Sequence, residues 1–503
     1  MQPNKQLDSV CSLLASSKLG TVKLTKIICT IGPASRDVAT LEELIDAGMN
    51  VARLNLSHGT HEYHIQTIKN IRLAETNYQK KTGVERPIAI ALDTRGREIR
   101  TGLLEGGDSV EVLLVKGKKI KLTADKYYET RGNANILFVS YQNITGVVKA
   151  GDRIFIDDGL ISLKCVNVED ICLICQIEND GLLGSRKGVN LPGVNVDLPP
   201  LSQADKLDLE FGVSENVDMI FGSFTPNAAA VVEMRRIMGE NGKDIRIISK
   251  IENQQGIDHA DEIIDASDGI MVERGDLGSE IPIQKVFLAQ KCLIARCNRV
   301  GKPVICATQM LESMTHKPRP TRAEITDVAN AVLDGADCVM LSGETARGEY
   351  PTKCVAMMTS ICMEAEAVFC QKQLFLDLNN EIKSLSGVEA VAAAAVGTSI
   401  EEHASAIILS TDTAHLINIV TKFRPGCPII AVTDSKMETR RFQIYRAVIP
   451  VYYQGSISDV EERTRIKFGI DVAKTQRIIC QGDRVVAISR STSGDSVDTM
   501  VVS

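Results

Sequence analysis

The sequence predicts an α/β protein: a (β/α)8 TIM barrel with an inserted all-β lid domain, followed by a C-terminal α/β domain. Short apolar segments of strand length, each bounded by turn residues, alternate with helical patterns, and this alternation favours parallel strand pairing. A stretch rich in Val and Ile with little helical spacing interrupts the alternation after the third segment. Helical and strand patterns resume after Glu366, which predicts a separate domain.

The apolar segments outside the interruption number eight, as a (β/α) barrel requires. In chain order they cover residues 26–31, 50–54, 88–92, 217–221, 245–251, 269–272, 303–306 and 337–341. Helix start signals open several of the helical patterns between them. Three such patterns cover residues 37–47, 202–211 and 282–300.

The interruption runs from about residue 98 to residue 196 and is punctuated by glycine turns. Its strand-like segments cover residues 109–115, 118–122, 153–156, 160–166 and 171–177. Segments of this composition without helical spacing predict β-strands. We expect this domain to close over the mouth of the barrel as a lid.

The last part of the chain again alternates helix and strand patterns. Residues 387–400 and 413–421 have helical spacing, whereas residues 406–409, 428–432 and 485–488 are strand-like. The predicted division is therefore a barrel domain over 23–97 and 198–369, a lid domain over 98–197 and a C-terminal domain over 370–503. Residues 1–22 are predicted to form an additional N-terminal helix or tail.

Composition limits the classes of function. The net charge of −7 and the scattered lysines provide no basic surface, so we expect no nucleic-acid partner. There is no apolar run of eighteen residues and no signal-peptide pattern, which predicts a cytoplasmic protein without a membrane association. The 14 cysteines mostly lie in apolar patterns, and we expect reduced core thiols rather than disulfides.

Three polar motifs follow successive predicted barrel strands. They are S-K-I-E-N at 249–253, R-G-D at 274–276 and C-A-T-Q at 306–309. Barrels of this kind place their functional sites at the carboxyl ends of the strands. One lysine, two carboxylates and one hydroxyl should therefore meet there, a combination typical of a metal-assisted phosphoryl site.

The two carboxylates of these motifs, Glu252 and Asp276, could converge on one hard divalent cation, magnesium or manganese. The alternative is that each carboxylate caps the helix that follows it. Lys250 should lie inside the barrel mouth, where it needs an anionic partner such as a phosphoryl group. Its alternative partner is Glu252.

Three further residues have side chains or backbone suited to an anionic substrate. Arg53, at the end of the second strand, presents a guanidinium fork that fits phosphate. Gly275 permits a close backbone approach, and its amide and that of Asp276 suit a carboxylate. The hydroxyl of Thr308 could serve near a carbon that gains a proton, although a threonine at this position is more often simply part of a strand. No G-x-x-x-x-G-K-[ST] motif occurs, so we expect no P-loop.

Three sequence motifs resemble those of the pyruvate kinase family: S-K-I-E-N, R-G-D-L-G and C-A-T-Q-M-L-E-S-M. Similarity extends from K-I-I-C-T-I-G-P at 26–33 to P-I-I-A-V-T at 428–433. The resemblance implies a glycolytic enzyme that transfers the phosphoryl group of phosphoenolpyruvate to ADP, giving pyruvate and ATP. It also implies magnesium and potassium as cofactors and a homotetramer.

The resemblance assigns roles to individual residues. Lys250 would neutralise the moving phosphoryl group, Glu252 and Asp276 would hold magnesium, and Thr308 would help protonate the enolate. Substrate contacts would come from Arg53, Lys250, Gly275, Asp276 and Thr308. Potassium would be held by Asn55, Ser57, Asp93 and Thr94. Glu98 matches a glutamate that occurs in the potassium-dependent members of the family. Nucleotide contacts would come from Asn55, His58, Arg100 and Lys187.

The chain departs from the family pattern in three places. Arg97 replaces a proline in the hinge toward the lid, and Glu273 replaces an alanine that borders the substrate. The third departure is T-D-T-A-H-L at 411–416, where animal relatives carry T-K-S-G-R-S to hold a sugar phosphate. We expect Glu273 to point at the substrate, to turn to solvent, to pair with Arg53 or Arg274, or to join the metal shell.

These departures leave two alternatives to an active pyruvate kinase. The first is a catalytically weakened paralogue that acts as a binding or regulatory subunit. The second is another magnesium-dependent enolate enzyme on the same barrel, such as a carbon–carbon lyase. The inserted lid and Lys250, between the phosphoryl and metal positions, argue against the lyase.

Overall fold

The computed structural model contains a closed parallel barrel, a β-rich insertion and a C-terminal α/β layer. It describes residues 20, 22–96, 99–157, 159–194, 196–381, 385–411, 414–457, 460–491 and 494–501.

The chain enters the barrel through two βα units and a third strand. These elements are β1 (Lys26–Thr30), α1 (Val38–Ala47), β2 (Val51–Asn55), α2 (His61–Thr82) and β3 (Ala89–Asp93). Helix α1 begins where the Asp37 side chain accepts a hydrogen bond from the Thr40 amide, and it ends at Gly48, whose φ of 116° is readily adopted only by glycine. The predicted helix over 37–47 is therefore confirmed.

The insertion is a small all-β unit with its own hydrophobic core. Its elements are β4 (Val112–Leu114), β5 (Lys119–Thr123), β6 (Ile136–Phe138), α3 (Ile144–Val147), β7 (Arg153–Ile156), β8 (Ile161–Val168), β9 (Cys172–Ile177), β10 (Gly181–Leu183) and β11 (Val189–Asn190). One sheet has the order β11-β7-β8-β9-β5-β6, and β10 pairs with β4 in a second. The predicted strands are confirmed as β4, β5, β7, β8 and β9. Strands β6, β10 and β11 were not predicted, because runs of two or three residues show no periodicity.

The remaining barrel strands are β12 (Met219–Gly222), β13 (Arg246–Ile251), β14 (Gly269–Glu273), β15 (Val304–Ala307) and β16 (Cys338–Leu341). Helix α4 (Gln203–Ser214) precedes these strands. The helices among and after them are α5 (Ala228–Met238), α6 (Gln254–Asp258), α7 (Ala260–Ala266), α8 (Arg274–Glu280), α9 (Val286–Val300), α10 (Arg322–Leu333), α11 (Gly343–Ala346) and α12 (Pro351–Ala367). Within the described residues the barrel closes in the order β1-β16-β15-β14-β13-β12-β3-β2, with every pair parallel. The predicted (β/α)8 barrel and its eight strands are confirmed.

Alternation along the barrel strands decides which side chains enter the interior. Ile248 and Met271 belong to the inner cluster, whereas Ile247 and Val272 pack in the outer layer under the helices. Because side chains two residues apart share a face of a strand, Lys250 and Glu273 continue the inner rows.

The C-terminal layer is a five-stranded sheet in the order β19-β18-β17-β20-β21. Its strands are β17 (Ala406–Ser410), β18 (Ile429–Thr433), β19 (Val448–Tyr452), β20 (Arg484–Ser491) and β21 (Gly494–Val501). Its helices are α13 (Gln371–Glu381), α14 (Gly387–Glu401), α15 (Ala414–Lys422), α16 (Lys436–Arg441) and α17 (Glu462–Thr475). The predicted C-terminal α/β domain is confirmed, although β19, β21 and the helices α13, α16 and α17 were not predicted. Thr413, which opens the predicted helix over 413–421, lies outside the described residues.

Two further observations concern membranes and thiols. In the described part of the chain, no single helix is long and apolar enough to cross a membrane, and α12 with α13 would pass that test only as a pair bent by 70°. The cysteines of the described residues are free. Cys172 and Cys175 have C-x-x-C spacing on β9, and Cys175 lies opposite Cys165 on β8.

Candidate active site

The polar motifs meet at the carboxyl ends of the barrel strands, as the sequence predicts. Lys250 is the penultimate residue of β13, and Glu252 follows that strand directly. Glu273 is the last residue of β14, and Asp276 lies in the first turn of α8. Thr308 directly follows β15.

Three carboxylates form a compact cluster at this edge. One oxygen from each of Glu252, Glu273 and Asp276 lies within 4.8 Å of the other two. Glu252 is 1% exposed, and its Oε1 accepts no hydrogen bond although it lies 3.0 Å from Lys250 Nζ. A buried oxygen without a hydrogen bond, beside two other carboxylates, suits a hard divalent cation.

The carboxylate cluster perturbs its own ionisation. Burial raises the pKa of Glu252 to about 7; Lys250 opposes this shift, and the negative charge of Glu273 adds to it. A bound cation would offset this repulsion, because metal ligation favours the ionised carboxylate. The donor set therefore fits magnesium or manganese.

Lys250 lies among anionic and polar partners inside the barrel mouth. Its Nζ is 3.0 Å from Glu252 Oε1 and 3.2 Å from Asp93 Oδ1, and it donates to Ser223 Oγ at 3.1 Å. Burial lowers the pKa of Lys250, but Asp93 and Glu252 outweigh burial and the pKa is raised. The ammonium is therefore charged, and the pairing with Glu252 considered from the sequence is present in the structure.

Arg53 and Asp93 form a buried ion pair, with Nε 2.6 Å from Oδ2. The Arg53 Nη1 group also donates to Thr30 Oγ1 at 2.8 Å. Burial raises the pKa of Asp93, but Arg53 and Lys250 outweigh it and the pKa lies below its usual range. Asp93 thus links the two cations expected to face the phosphoryl group.

The residues expected to hold potassium come from the ends of β2 and β3. Asn55 lies opposite Asp93 in the register of these strands, and its Oδ1 accepts a hydrogen bond from the Ser57 amide at 3.0 Å. Thr94 follows Asp93, and its hydroxyl accepts from the Ser223 amide at 3.1 Å. Glu98, like Arg97, lies outside the described residues.

Three of the four residues expected to contact nucleotide line a cleft of about 490 Å³ between the β-rich insertion and the barrel. His58, Arg100 and Lys187 line it, and Asp276 contributes from the barrel; Asn55 is not among its lining residues. Lys187 Nζ lies 3.0 Å from Asp157 Oδ2. Both cations and acceptors are thus present where a nucleoside phosphate would enter.

Thr308 has an unusual backbone conformation. Its φ is 75°, a value that costs a β-branched residue about 1–3 kcal/mol and that usually marks a functional site. Arg274 holds this conformation, because its Nη2 donates to the Thr308 carbonyl at 2.7 Å while its Nη1 donates to Asp327 at 2.7 Å. The Thr308 hydroxyl donates to Glu273.

Glu273 points into the site rather than to solvent. It is 6% exposed, and its Oε2 accepts a hydrogen bond from the Asp276 amide at 2.8 Å. The alternative in which Glu273 turns to solvent is therefore wrong. The pairing with Arg53 or Arg274 is also wrong, because the carboxylate oxygens accept hydrogen bonds from Asp276 and Thr308. The capping role weighed for Asp276 belongs instead to Glu273.

Sequence analysis missed Ser223 and Phe224, and it named Arg274 without predicting its contact with Thr308. Ser223 hydrogen-bonds Lys250 and Asp93, the Phe224 amide donates to Glu252 Oε2, and Arg274 positions Thr308. Ser223 and Phe224 follow strand β12, so the rule that strand ends carry the chemistry would have found them. No motif signals the Phe224 amide, which depends on a φ of 49°.

The fold and the site together define a barrel protein of the class that performs metal-assisted phosphoryl transfer. Residues 22–355 match the family model described as pyruvate kinase, barrel domain, and residues 389–503 match pyruvate kinase, alpha/beta domain. The chain belongs to the pyruvate kinase family, and the family predicted from its motifs is confirmed.

Relatives from distant organisms align over nearly the whole chain. Pyruvate kinase PKLR of Homo sapiens is 50% identical over 489 residues, covering 96% of this chain and 85% of the relative. Pyruvate kinase 1 of Trypanosoma brucei brucei is 47% identical, with 96% of each chain covered. The pyruvate kinase of Schizosaccharomyces pombe is 46% identical, covering 93% of this chain and 92% of the relative.

Proposed function

We propose that the protein transfers the phosphoryl group of phosphoenolpyruvate to ADP, forming pyruvate and ATP in glycolysis. The observation that carries the proposal is the convergence of Lys250 with Glu252 and Asp276 at adjoining strand ends. The bond between phosphorus and the enol oxygen breaks, a bond forms to an oxygen of the ADP β-phosphate, and the enolate carbon takes up a proton.

Lys250 is the group suited to stabilise charge on the phosphoryl group in transit. Its ammonium is buried and remains charged, so it needs no reorganisation when negative charge develops nearby. Arg53 supplies a second cation. Its guanidinium group is fixed in position by hydrogen bonds that it donates to Asp93 and Thr30. Together these residues bind and orient an anion that water would otherwise solvate.

Glu252 and Asp276 are the residues that would hold magnesium or manganese. The cation would supply charge neutralisation for the phosphates of both substrates. The expected potassium ligands, Asn55, Ser57, Asp93 and Thr94, are oxygen-bearing residues at the ends of two adjacent strands, which supports a monovalent site beside the divalent one.

Thr308 and Gly275 support binding and protonation of a carboxylated enolate. The Thr308 hydroxyl and the Asp276 amide both face a carboxylate in this structure, so these donors can bind a substrate carboxylate. The same hydroxyl is available to assist proton delivery to the enolate carbon. His58, Arg100 and Lys187 line the cleft that would receive ADP.

We also propose that the protein works in the cytoplasm as a homotetramer. The barrel exposes apolar side chains at the start of α9 and just before it, with Ile283 75%, Phe287 56% and Leu288 54% exposed. Adjoining exposed apolar side chains of this size typically become buried between subunits. Light scattering on the purified full chain tests the tetramer.

A coupled assay tests the activity. Purified protein is given phosphoenolpyruvate and ADP with magnesium and potassium, and pyruvate formation is followed by its reduction. Pyruvate should appear only when both substrates are present, and its absence at high enzyme and substrate concentrations would reject the proposed activity.

A further inference from the structure

Glu273 hydrogen-bonds the donors that the proposed function reserves for the substrate. The Asp276 amide donates to Glu273 Oε2 at 2.8 Å, and the Thr308 hydroxyl donates to Glu273 Oε1. Both donors are neutral groups, a backbone N–H and a hydroxyl. A carboxylate can accept one hydrogen bond from each of them through its two oxygens. Here a carboxylate of the chain itself fills that position.

Gly275 forms the remaining wall of the same subsite, and Glu273 lies against it. A Cβ atom built on Gly275 would lie 3.4 Å from each oxygen of Glu273 and 2.9 Å from Thr308 Cγ2. The carboxylate therefore faces the surface that only a glycine leaves open. Gly275, Asp276 and Thr308 are all engaged by one side chain.

We propose that Glu273 is an internal competitor that occupies the substrate-carboxylate subsite, so that phosphoenolpyruvate must displace it before binding. This inference rests on the proposed function, because it takes phosphoenolpyruvate as the substrate. Glu273 ends strand β14, and displacement would require rotation about its side-chain torsions and loss of its two hydrogen bonds. Before displacement the Glu273 carboxylate lies beside those of Glu252 and Asp276.

Two physical effects oppose substrate binding. The first is occupancy, since the two hydrogen bonds to Glu273 must be exchanged for two bonds to the substrate. The second is charge, since carboxylates about 5 Å apart at an effective dielectric near 20 repel enough to change affinity on the order of 100-fold. Replacing Glu273 with Gln removes the charge and keeps an acceptor of similar size, whereas replacing it with Ala removes both.

The structure also suggests a different role that the experiment must separate. Glu273 has an oxygen within 4.8 Å of ligand atoms of Glu252 and Asp276, so it could serve as a third metal ligand. A metal ligand would make a large contribution to cation affinity in the absence of substrate, whereas a competitor would contribute only the weaker attraction of a nearby charge. Cation affinity and substrate affinity are therefore measured independently.

The test compares the native full chain with Glu273→Ala and Glu273→Gln. Calorimetry measures binding of phosphoenolpyruvate to the magnesium-saturated protein without ADP, and a separate titration measures Mn²⁺ binding without substrate. Glu262→Ala is the control, because it removes the same charge from an exposed pair with His259. Saturation kinetics for both substrates follow on the same proteins.

We expect phosphoenolpyruvate to bind Glu273→Ala at least about tenfold more tightly than the native protein, with Glu273→Gln in between. The KM for phosphoenolpyruvate should fall in the same order, the KM for ADP should stay constant, and Glu262→Ala should match the native chain. Equal or weaker phosphoenolpyruvate binding by both Glu273 variants, or near-complete loss of Mn²⁺ binding in them, overturns the inference.

The same experiment separates failure of the inference from failure of the proposed function. If the native protein makes pyruvate but the Glu273 variants bind no more tightly, only the inference is rejected. If no variant binds phosphoenolpyruvate or forms pyruvate, both are rejected. Glu273→Gln keeps the side-chain volume, so the outcome does not depend on the folding of the alanine variant alone.

Discussion

Lys250 and Glu252 leave the end of one barrel strand with their charged atoms 3.0 Å apart, so that the cation proposed to bind the phosphoryl group and a proposed metal ligand form one buried pair. Asp93 and Glu252 together explain how a lysine that is 6% exposed keeps its charge. A bound divalent cation at Glu252 would weaken this pair and direct the Lys250 ammonium toward an anionic ligand.

Replacing Lys250 with Met should abolish phosphoryl transfer while leaving Mn²⁺ binding largely intact. The ammonium stabilises charge on the moving group, and loss of one such preorganised group commonly lowers the rate by roughly 10²-fold or more. Turnover is measured by the coupled assay and Mn²⁺ affinity by titration. Lys250→Arg is the control that keeps the charge beside Asp93, and native-like turnover of Lys250→Met would refute the role.

Stabilisation by magnesium should grow as pH rises through about 7. Because burial raises the pKa of Glu252 from 4.5 to about 7, the folded metal-free protein keeps a proton that the unfolded chain loses, and this contribution to stability is lost as pH rises through that window. Metal requires the ionised carboxylate, so it binds more strongly above pH 7.

The measurement is the shift in melting temperature on adding magnesium at pH 6 and at pH 8. A larger shift at pH 8 is expected for the native protein, and this difference should shrink in Glu252→Gln. An equal shift at both pH values in the native protein would show that Glu252 does not control metal binding.

Activity should depend on a monovalent cation. Asn55, Ser57, Asp93 and Thr94 supply oxygen-bearing groups at neighbouring strand ends, and a cation there would balance the charge of highly anionic substrates. Rates are compared in magnesium buffer with potassium and with potassium replaced by a bulky organic cation. Undiminished activity in the second buffer would contradict the prediction.

Fructose 1,6-bisphosphate should fail to activate the protein. Phosphate recognition needs cationic side chains or free amides on a glycine-rich turn, whereas residues 411–416 read T-D-T-A-H-L. An effector that binds neither state better cannot shift their equilibrium. The phosphoenolpyruvate saturation curve is recorded with and without micromolar bisphosphate, and a leftward shift would disprove the prediction. Asp412 and Thr413 lie outside the described residues.

The sequence by itself determined the architecture, because each barrel strand is a continuous apolar run between turn residues. Such runs are buried on both faces in a parallel barrel, so the strands can be recognised from the sequence without any tertiary information. The inserted β domain was predictable as a β-rich interruption, but its strands β6, β10 and β11 were not. Strands β10 and β11 depend on partners distant in sequence, so local pattern could not reveal them.

The sequence also determined which chemical groups gather at the barrel mouth, because the ends of parallel strands meet at one edge. Lys250, Glu252, Asp276 and Thr308 were predictable on this ground alone. Strand alternation from Met271 even indicates an inward Glu273. What alternation cannot decide is the position of a flexible carboxylate among several acceptable partners.

Only the tertiary structure decided how these groups pair. It placed Asp93 between Arg53 and Lys250, and it brought the Phe224 amide to Glu252 through a backbone conformation that no motif marks. It also placed Glu273 on the Thr308 hydroxyl and the Asp276 amide instead of in solvent. Whether two side chains on different strands form a hydrogen bond or ion pair depends on differences of a few tenths of an ångström in the distance between them. Local sequence pattern does not encode such differences.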